Sequence, residues 1–143
     1  MDELNPLERV EYELTTFIRR AVYLDQSERK IGFLERASYL LLRQLDEFGP
    51  SRVKDLADSF KLDISTLSRQ AGGLETKGLI QRFADPSDGR VRMFKITELG
   101  KEKLEADKRL RLERYNEWMD GWSEDERGLF GEFLTRLNRG FVD

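Results

Sequence analysis

The stretch that decides the fold is SRVKDLADSFKLDISTLSRQAGGLETKGLIQRFADPSDGRVRMFKI, residues 51–96. Its first half predicts a short helix over residues 52–60, which Ser51 can cap, and a second helix that begins after a brief turn. Asp63 can cap this second helix, whose apolar residues recur at helical spacing and form its buried edge: Ile64, Leu67, Ala71 and Leu74. A short helix, a turn and a second helix are the parts of a helix-turn-helix.

The helical period ends at Gly78, after this second helix. Residues 79–83 and 91–96 have the composition of two strands, and residues 84–89 between them are turn formers. We therefore expect a β-hairpin whose loop of about six or seven residues is long enough to project. The order of helix, turn, helix and hairpin predicts a winged helix-turn-helix.

The helix before this stretch supplies the rest of the predicted core. Residues 33–48 are the most apolar part of the chain, and Gly49-Pro50 ends the helix because proline cannot continue it. Its predicted inward residues are Leu34, Ala37, Leu40, Leu41, Leu45 and Phe48. The sequence therefore predicts a mainly α fold with a small β-hairpin wing, in which residues 33–96 form the winged helix-turn-helix.

Charged amphipathic helices flank this region on both sides. The first begins at Asn5-Pro6 and carries an a/d stripe made of Leu7, Val10, Leu14, Phe17, Ala21 and Leu24. Such a stripe packs either on its own domain or against another subunit. On the other side, Thr97 can cap a long helix that extends to about residue 120, and Ser123 with Glu126 forms a capping box for a last helix.

The composition excludes several classes of function. A net charge of −3 by itself argues mildly against a nucleic-acid partner. The absence of cysteine and histidine rules out disulfides, thiol redox switches, thiolate or imidazole zinc sites and His-dependent nucleophiles. Because the chain shows no secretion signal and no long uncharged apolar segment, we expect a cytoplasmic protein with no membrane partner, no metal and no cofactor.

The outward face of the second helix is polar and slim, as a helix that enters the major groove must be. Small hydroxyls near its N-terminus can form hydrogen bonds, and an arginine fork can address a guanine edge or a phosphate. The N-terminus of the helix also favours a phosphate. An ordinary solvated surface would explain any one of these residues alone. As a set, they are the predicted DNA contacts of this helix: Ser65, Thr66, Ser68, Arg69 and Gln70.

The hairpin supplies the second group of predicted DNA contacts. Arg90, with Arg92 just beyond it, lies near the tip, where an arginine suits insertion into the minor groove. Asp88 can hold the Arg90 guanidinium in place through an ion pair. The alternative is a surface turn with an exposed ion pair that contributes little.

Charge is distributed unevenly along the chain. Residues 52–95 carry nine basic and six acidic side chains, a net +3, and the remainder of the chain carries −6. The asymmetry favours a DNA-reading middle between acidic flanks.

A diglycine, Gly72-Gly73, interrupts the second helix. Each glycine costs about 1 kcal/mol relative to alanine in a helix interior. The pair either permits close approach of the backbone to DNA or to a neighbouring helix, or it is a local weakness. The sequence leaves these alternatives open.

The motifs of this middle region resemble those of the MarR-type transcriptional regulators. DISTLSR, residues 63–69, continuing to LETKGLI, residues 74–80, resembles the recognition helix of the family and the entry to its wing. Asp88-Gly89-Arg90 followed by ITELG, residues 96–100, resembles the wing signature, with Ile96 where leucine is common. The diglycine departs from the family pattern, which has larger and often charged residues there.

The resemblance implies an obligate homodimer on a palindromic operator, with residues 5–30 and 97–143 as dimerisation helices. It implies that the polar face of the second helix reads the major groove and that Arg90, oriented by Asp88, enters the minor groove. It also implies a repressor that releases DNA when a small effector binds, often a phenolic or other anionic or apolar molecule.

Two other classes of function compete with a DNA-binding regulator. A winged helix can be a protein–protein interaction module without specific DNA binding, and the acidic total leaves room for this alternative. An enzyme is the weaker alternative, because the sequence has no catalytic triad and no glycine-rich phosphate loop. We therefore expect that the chain is not an enzyme.

Overall fold

The computed structural model describes residues 5–27 and 31–141, and within these ranges it has six helices and three strands. In chain order they are α1 (Pro6–Gln26), α2 (Arg36–Phe48), β1 (Ser51–Arg52), α3 (Val53–Phe60), α4 (Ile64–Thr76), β2 (Ile80–Asp85), β3 (Asp88–Ile96), α5 (Glu98–Trp118) and α6 (Glu124–Arg139). The mainly α fold with a small β-hairpin wing is confirmed. The predicted dimerisation ranges include positions 28–30 and 142–143, which lie outside the described residues.

The core lies among α2, α3, α4 and the hairpin. Phe94 of β3 is fully buried and belongs to one apolar cluster with leucines from the three helices: Leu41, Leu42, Leu45, Leu56, Leu67 and Leu74. Full burial of each such side chain contributes about 1.5–3 kcal/mol. This cluster therefore joins the helix-turn-helix and the wing into one packed body.

The turn of the hairpin is tighter than the sequence predicts. β2 extends to Asp85 and β3 begins at Asp88, so only Pro86-Ser87 forms the turn. The predicted loop of six or seven residues is therefore wrong. Turn-forming residues at the two strand ends continue the pairing instead, with an irregularity in register between Ala84 and Asp85.

A third strand, β1, precedes α3 and was not predicted. It pairs antiparallel with β3, which gives the sheet order β1-β3-β2. The predicted cap of α3 by Ser51 is wrong, because the Ser51 hydroxyl donates to the Gly49 carbonyl and Arg52 occupies the N-cap position. A strand of two residues is too short to show alternation, so the sequence carries no periodic signal for it.

The inward face of α2 is only partly the predicted one. The prediction is right for Leu34, which lies just before the helix, and for Leu41 and Leu45. Ala37, Leu40 and Phe48 were predicted inward but are exposed, and the buried residues Tyr39 and Leu42 were missed. The helix has two neighbouring apolar stripes, and spacing alone does not say which of them faces the core.

The predicted caps at the other four helix starts are confirmed. The side chains of Asn5, Asp63 and Thr97 each accept a hydrogen bond from a backbone N–H in the first turn. Ser123 and Glu126 exchange both hydrogen bonds of a capping box. These contacts join residues only three positions apart, which explains why the sequence predicts them well.

The helices at the two ends of the chain leave their apolar faces uncovered. The chain divides into two compact units, residues 1–110 with α1 and residues 111–143 with α6. Within the described chain, neither α1 nor α6 has a buried residue. The α1 stripe is therefore not buried in its own domain, and Leu7, Val10 and Phe17 are exposed.

Candidate nucleic-acid interface

The side chain of Asp63 fixes the N-terminal turn of α4. Its carboxylate accepts hydrogen bonds from the Ser65 hydroxyl and from the Thr66 N–H, each at 2.7 Å. These bonds, with a smaller contribution from the Arg69 charge, lower the pKa of Asp63 to about 2. Asp63 is therefore ionised at neutral pH, where a negative charge at the start of a helix is favourable.

Arg69 lies on the exposed face of α4, opposite the buried edge of the helix. Ser65 lies one turn earlier on the same face, and both residues are exposed. Among the described residues, the Arg69 guanidinium makes one hydrogen bond, to the Thr66 hydroxyl at 3.3 Å. Since a guanidinium has five N–H donors, most of the donors of Arg69 remain available to a partner outside the chain.

Ser68 and Gln70 are less well placed than Ser65 and Arg69. Both are half-buried. Gln70 follows the buried Leu67 by three residues and precedes the next buried leucine by four, so it lies beside the core-facing edge. The exposed face of α4 therefore brings together Ser65 and Arg69, with the half-buried Thr66, Ser68 and Gln70 at its margins.

Gly72 and Gly73 leave bare backbone on α4 after Arg69. A Cβ atom added at either glycine would meet no heavy atom within 4 Å in the described chain. Close packing against a neighbouring helix of this chain is therefore not the reason for the diglycine. Approach of DNA to the backbone and a local weakness of the helix remain as alternatives.

Arg90 of the wing is highly exposed, with 92% of its side chain accessible. The carboxylate of Asp88 accepts hydrogen bonds from the Arg90 backbone N–H at 3.1 Å and from its Nε at 3.3 Å. The predicted contact between the two side chains is confirmed. Because the ion pair is exposed, it contributes little to stability and serves mainly to orient the guanidinium.

Arg92 lies two residues after Arg90 on β3. Arg92 is exposed and lies opposite Ala84 of β2, a small residue that leaves it uncovered. The wing therefore carries two adjacent exposed cations just beyond its turn.

Two ion pairs join the wing to the helix-turn-helix, and sequence reasoning missed both. Arg52 Nη2 lies 3.0 Å from Asp85 Oδ2, and Arg82 Nε lies 3.6 Å from Glu75 Oε2. Hydrogen bonds from Ser87, with a smaller contribution from Arg52, lower the pKa of Asp85. Arg52 and Asp85 are 33 residues apart, so no local spacing signals their contact.

The described residues contain little that suggests other kinds of site. No group of three or more acidic side chains among them could hold a metal ion. No helix in the described ranges combines the length and apolar content needed to cross a bilayer. A groove of about 250 Å³ between α2 and α5, with Arg43 and Lys108 in its lining, is smaller than a typical small-molecule site.

Known proteins resemble this chain in sequence. The model of the MarR family matches residues 34–91. The chain is 67% identical over 143 residues to the HTH-type transcriptional regulator YxaD of Bacillus subtilis (strain 168), and the match covers 100% of both chains.

Solved structures share the fold at lower sequence identity. FabT of Streptococcus pneumoniae, in complex with DNA, has a TM-score of 0.67 and 22% identity, and the match covers 93% of this chain and 95% of that one. BpsR of Bordetella bronchiseptica has a TM-score of 0.74 and 20% identity, with 96% and 99% covered. The BpsR structure concerns regulation of DNA binding by 6-hydroxynicotinic acid.

Proposed function

This chain belongs to the MarR family of DNA-binding transcriptional regulators, and from this premise we propose that it binds a palindromic operator as a homodimer and represses transcription. In this proposal α4 lies in the major groove of each half-site and the wing reaches into the adjacent minor groove. The protein acts in the reducing cytoplasm that its composition predicts.

The observation that carries the proposal is the presence of exposed arginines on two elements that share one core. Arg69 lies on the exposed face of α4, and Arg90 lies just beyond the turn of the wing. An arginine in the major groove can bind guanine with two hydrogen bonds, and one in the minor groove responds to its negative potential. Together these residues supply both base reading and shape reading.

The homodimer is supported by the uncovered apolar faces of the end helices. The exposed apolar residues of α6 are Leu129, Phe130, Phe133, Leu134 and Leu137. A helix with an apolar stripe is stabilised by packing that stripe against a partner. A second copy of the chain is the partner that a palindromic operator requires, because the symmetry of the protein matches that of the site.

A small-molecule effector completes the proposal. Its support comes from the BpsR likeness, since DNA binding by that protein is regulated by an aromatic acid. Displacement of labelled DNA by a panel of phenolic and other aromatic acids tests this part. If no member of the panel releases the DNA, the effector part of the proposal is wrong.

The central experiment is selection of duplexes from a random pool with the full chain, followed by anisotropy titrations at several salt concentrations. We expect an enriched sequence with two inverted half-sites about 10 base pairs apart. Its affinity should exceed that for random DNA by about 10³-fold or more. If no duplex binds more tightly than random DNA, the proposal is wrong and the protein-interaction alternative is favoured.

The same titration tests the wing. We expect Arg90→Ala to weaken binding to the selected duplex by about tenfold, because one well-placed arginine contact is worth about 1–3 kcal/mol. Lys103→Ala, which makes the same charge change at an exposed position of α5, is the control and should change affinity little. Equal affinities for Arg90→Ala and the wild type would remove the minor-groove role.

A further inference from the structure

Asp85 is a nearly buried carboxylate at the outer end of the wing. Only 9% of its side chain is exposed, although it lies next to the hairpin turn. Carboxylates are almost never this buried unless they are paired. The direct DNA contacts proposed above do not use this residue, so its burial needs a separate explanation.

The two oxygens of Asp85 have different partners. Oδ1 accepts hydrogen bonds from the Ser87 N–H at 2.9 Å and from the Ser87 hydroxyl at 2.8 Å. Oδ2 accepts a hydrogen bond from Arg52 Nη2 at 3.0 Å. One carboxylate therefore closes the turn of the wing and also reaches back to β1.

Arg52 stands at the junction between the sheet and the helix-turn-helix. It lies opposite Met93 of β3 and is also the N-cap residue of α3. The contact with Asp85 thus links the outer end of the wing directly to the start of α3. A second link, between Arg82 and Glu75, is longer at 3.6 Å and more exposed, so it is the weaker of the two.

We infer that Arg52 and Asp85 are positioning residues for DNA binding, and that their ion pair sets the angle of the wing relative to α3 and α4. This inference rests on the proposed function. A side chain that reads DNA must be held within about 0.5 Å and 10–20° of its working geometry by supporting contacts. Arg90 lies five residues beyond Asp85 on the far side of the turn, so a change in wing angle displaces it from the minor groove.

Substitution of Asp85 distinguishes a positioning role from a purely electrostatic one, because the two roles predict opposite changes in DNA affinity. Removal of a negative charge near DNA should strengthen binding if only charge matters. If Asp85 positions the wing, Asp85→Asn should weaken binding to the selected duplex by about tenfold, the loss of one charge-assisted hydrogen bond. Asp58→Asn on the exposed side of α3 is the matched control and should not weaken binding.

Substitutions of Arg52 test whether the pair acts through the wing. We expect Arg52→Ala to weaken binding about as much as Asp85→Asn, and Arg52→Lys to retain most of the affinity because one N–H···O bond suffices. In an Arg90→Ala background, Arg52→Ala should cost less than about threefold, since the wing contact is already lost. Thermal unfolding of each variant checks that it folds. Because Arg52 lies outside the core, its variants still test the inference if Asp85→Asn does not fold.

The outcomes are distinguishable. Unchanged or tighter binding by both Asp85→Asn and Arg52→Ala, in folded protein, overturns the inference and leaves the proposed function intact. Fully additive effects of Arg52→Ala and Arg90→Ala would show that Arg52 contacts DNA itself, which also overturns it. Failure of the wild type to select any duplex overturns the proposed function and this inference with it.

Discussion

The winged helix-turn-helix and the two end helices, α1 and α6, differ in how far their apolar side chains are buried. In the winged helix-turn-helix, Phe94 of β3 is completely buried by other residues of the same chain. In α6, Phe133 is 53% exposed, and in α1, Leu7 is 77% exposed. Apolar residues recur at regular spacing in both regions. Within the described chain, they are buried in the winged helix-turn-helix and left unburied on α1 and α6.

The difference teaches that helical periodicity identifies an apolar face without identifying its partner. The apolar face of α4 is covered by α2, α3 and the sheet. These elements are neighbours of α4 in the sequence and form one apolar cluster with it. The faces of α1 and α6 are not covered within the described chain. Exposed apolar faces of this kind mark interaction surfaces, which is the basis for the proposed homodimer.

The largest effect is expected from removal of the central core side chain. Phe94→Ala should lower the free energy of unfolding by about 3–5 kcal/mol, because it leaves a cavity among buried leucines. Phe48→Ala removes the same side chain from an exposed position of α2 and should cost little. Urea denaturation at one fixed protein concentration measures both. Similar losses for the two variants would contradict the contrast between buried and exposed apolar residues.

A charge on the apolar face of α6 tests the other side of the comparison. If α6 forms the interface of the proposed homodimer, Phe133→Glu should raise the dissociation constant of that dimer by about 100-fold, equivalent to about 2.7 kcal/mol, because it places an unpaired charge in the interface. Thr135→Glu lies on the opposite face of α6 and is the matched control. Sedimentation velocity measures the change in association, and far-UV circular dichroism checks that helix content is kept. A dimer of unchanged affinity would show that α6 does not supply the interface.

The smallest of the three effects concerns backbone packing. A Cβ atom at Gly100 of α5 would overlap the carbonyl oxygen of Leu79 and lie 2.7 Å from Ile96 Cγ1. Gly100→Ala should therefore destabilise the protein by about 1–3 kcal/mol. Gly131→Ala in α6, where nothing lies within 4 Å, should instead be neutral or stabilise by up to about 1 kcal/mol. Thermal unfolding of both variants decides whether α5 is packed more tightly on the hairpin at Gly100 than α6 is packed at Gly131.

Much of the fold could be predicted from local patterns. The caps at Asn5, Asp63, Thr97 and Ser123 join residues three positions apart, and the loss of helical period after Gly78 marks the hairpin. The contact between Asp88 and Arg90 is equally local. These features depend on hydrogen bonds and backbone preferences within a few residues, which the order of residue types reveals directly.

The features that sequence reasoning missed depend on residues that are distant in the chain. Which apolar stripe of α2 faces inward is decided by where Phe94 and the leucines of α3 and α4 lie. The tight turn at Pro86-Ser87 is stabilised by Asp85, whose other oxygen binds Arg52. The choice of stripe on α2 has no signature in spacing, and neither does the contact between Asp85 and Arg52, which are 33 residues apart. The contact between Asp85 and Ser87 is local, because only two residues separate the partners, and sequence reasoning missed it.

By itself, therefore, the sequence determined the order of helices, the winged helix-turn-helix and the exposed positions of Ser65 and Arg69 on α4 and of Arg90 and Arg92 on the wing, because each follows from interactions over three or four residues. Only the tertiary structure showed that β1 pairs with β3, which face of α2 is buried and that Arg52 and Asp85 form an ion pair. These depend on which surfaces exclude water together, and that is a property of the packed chain rather than of any single segment.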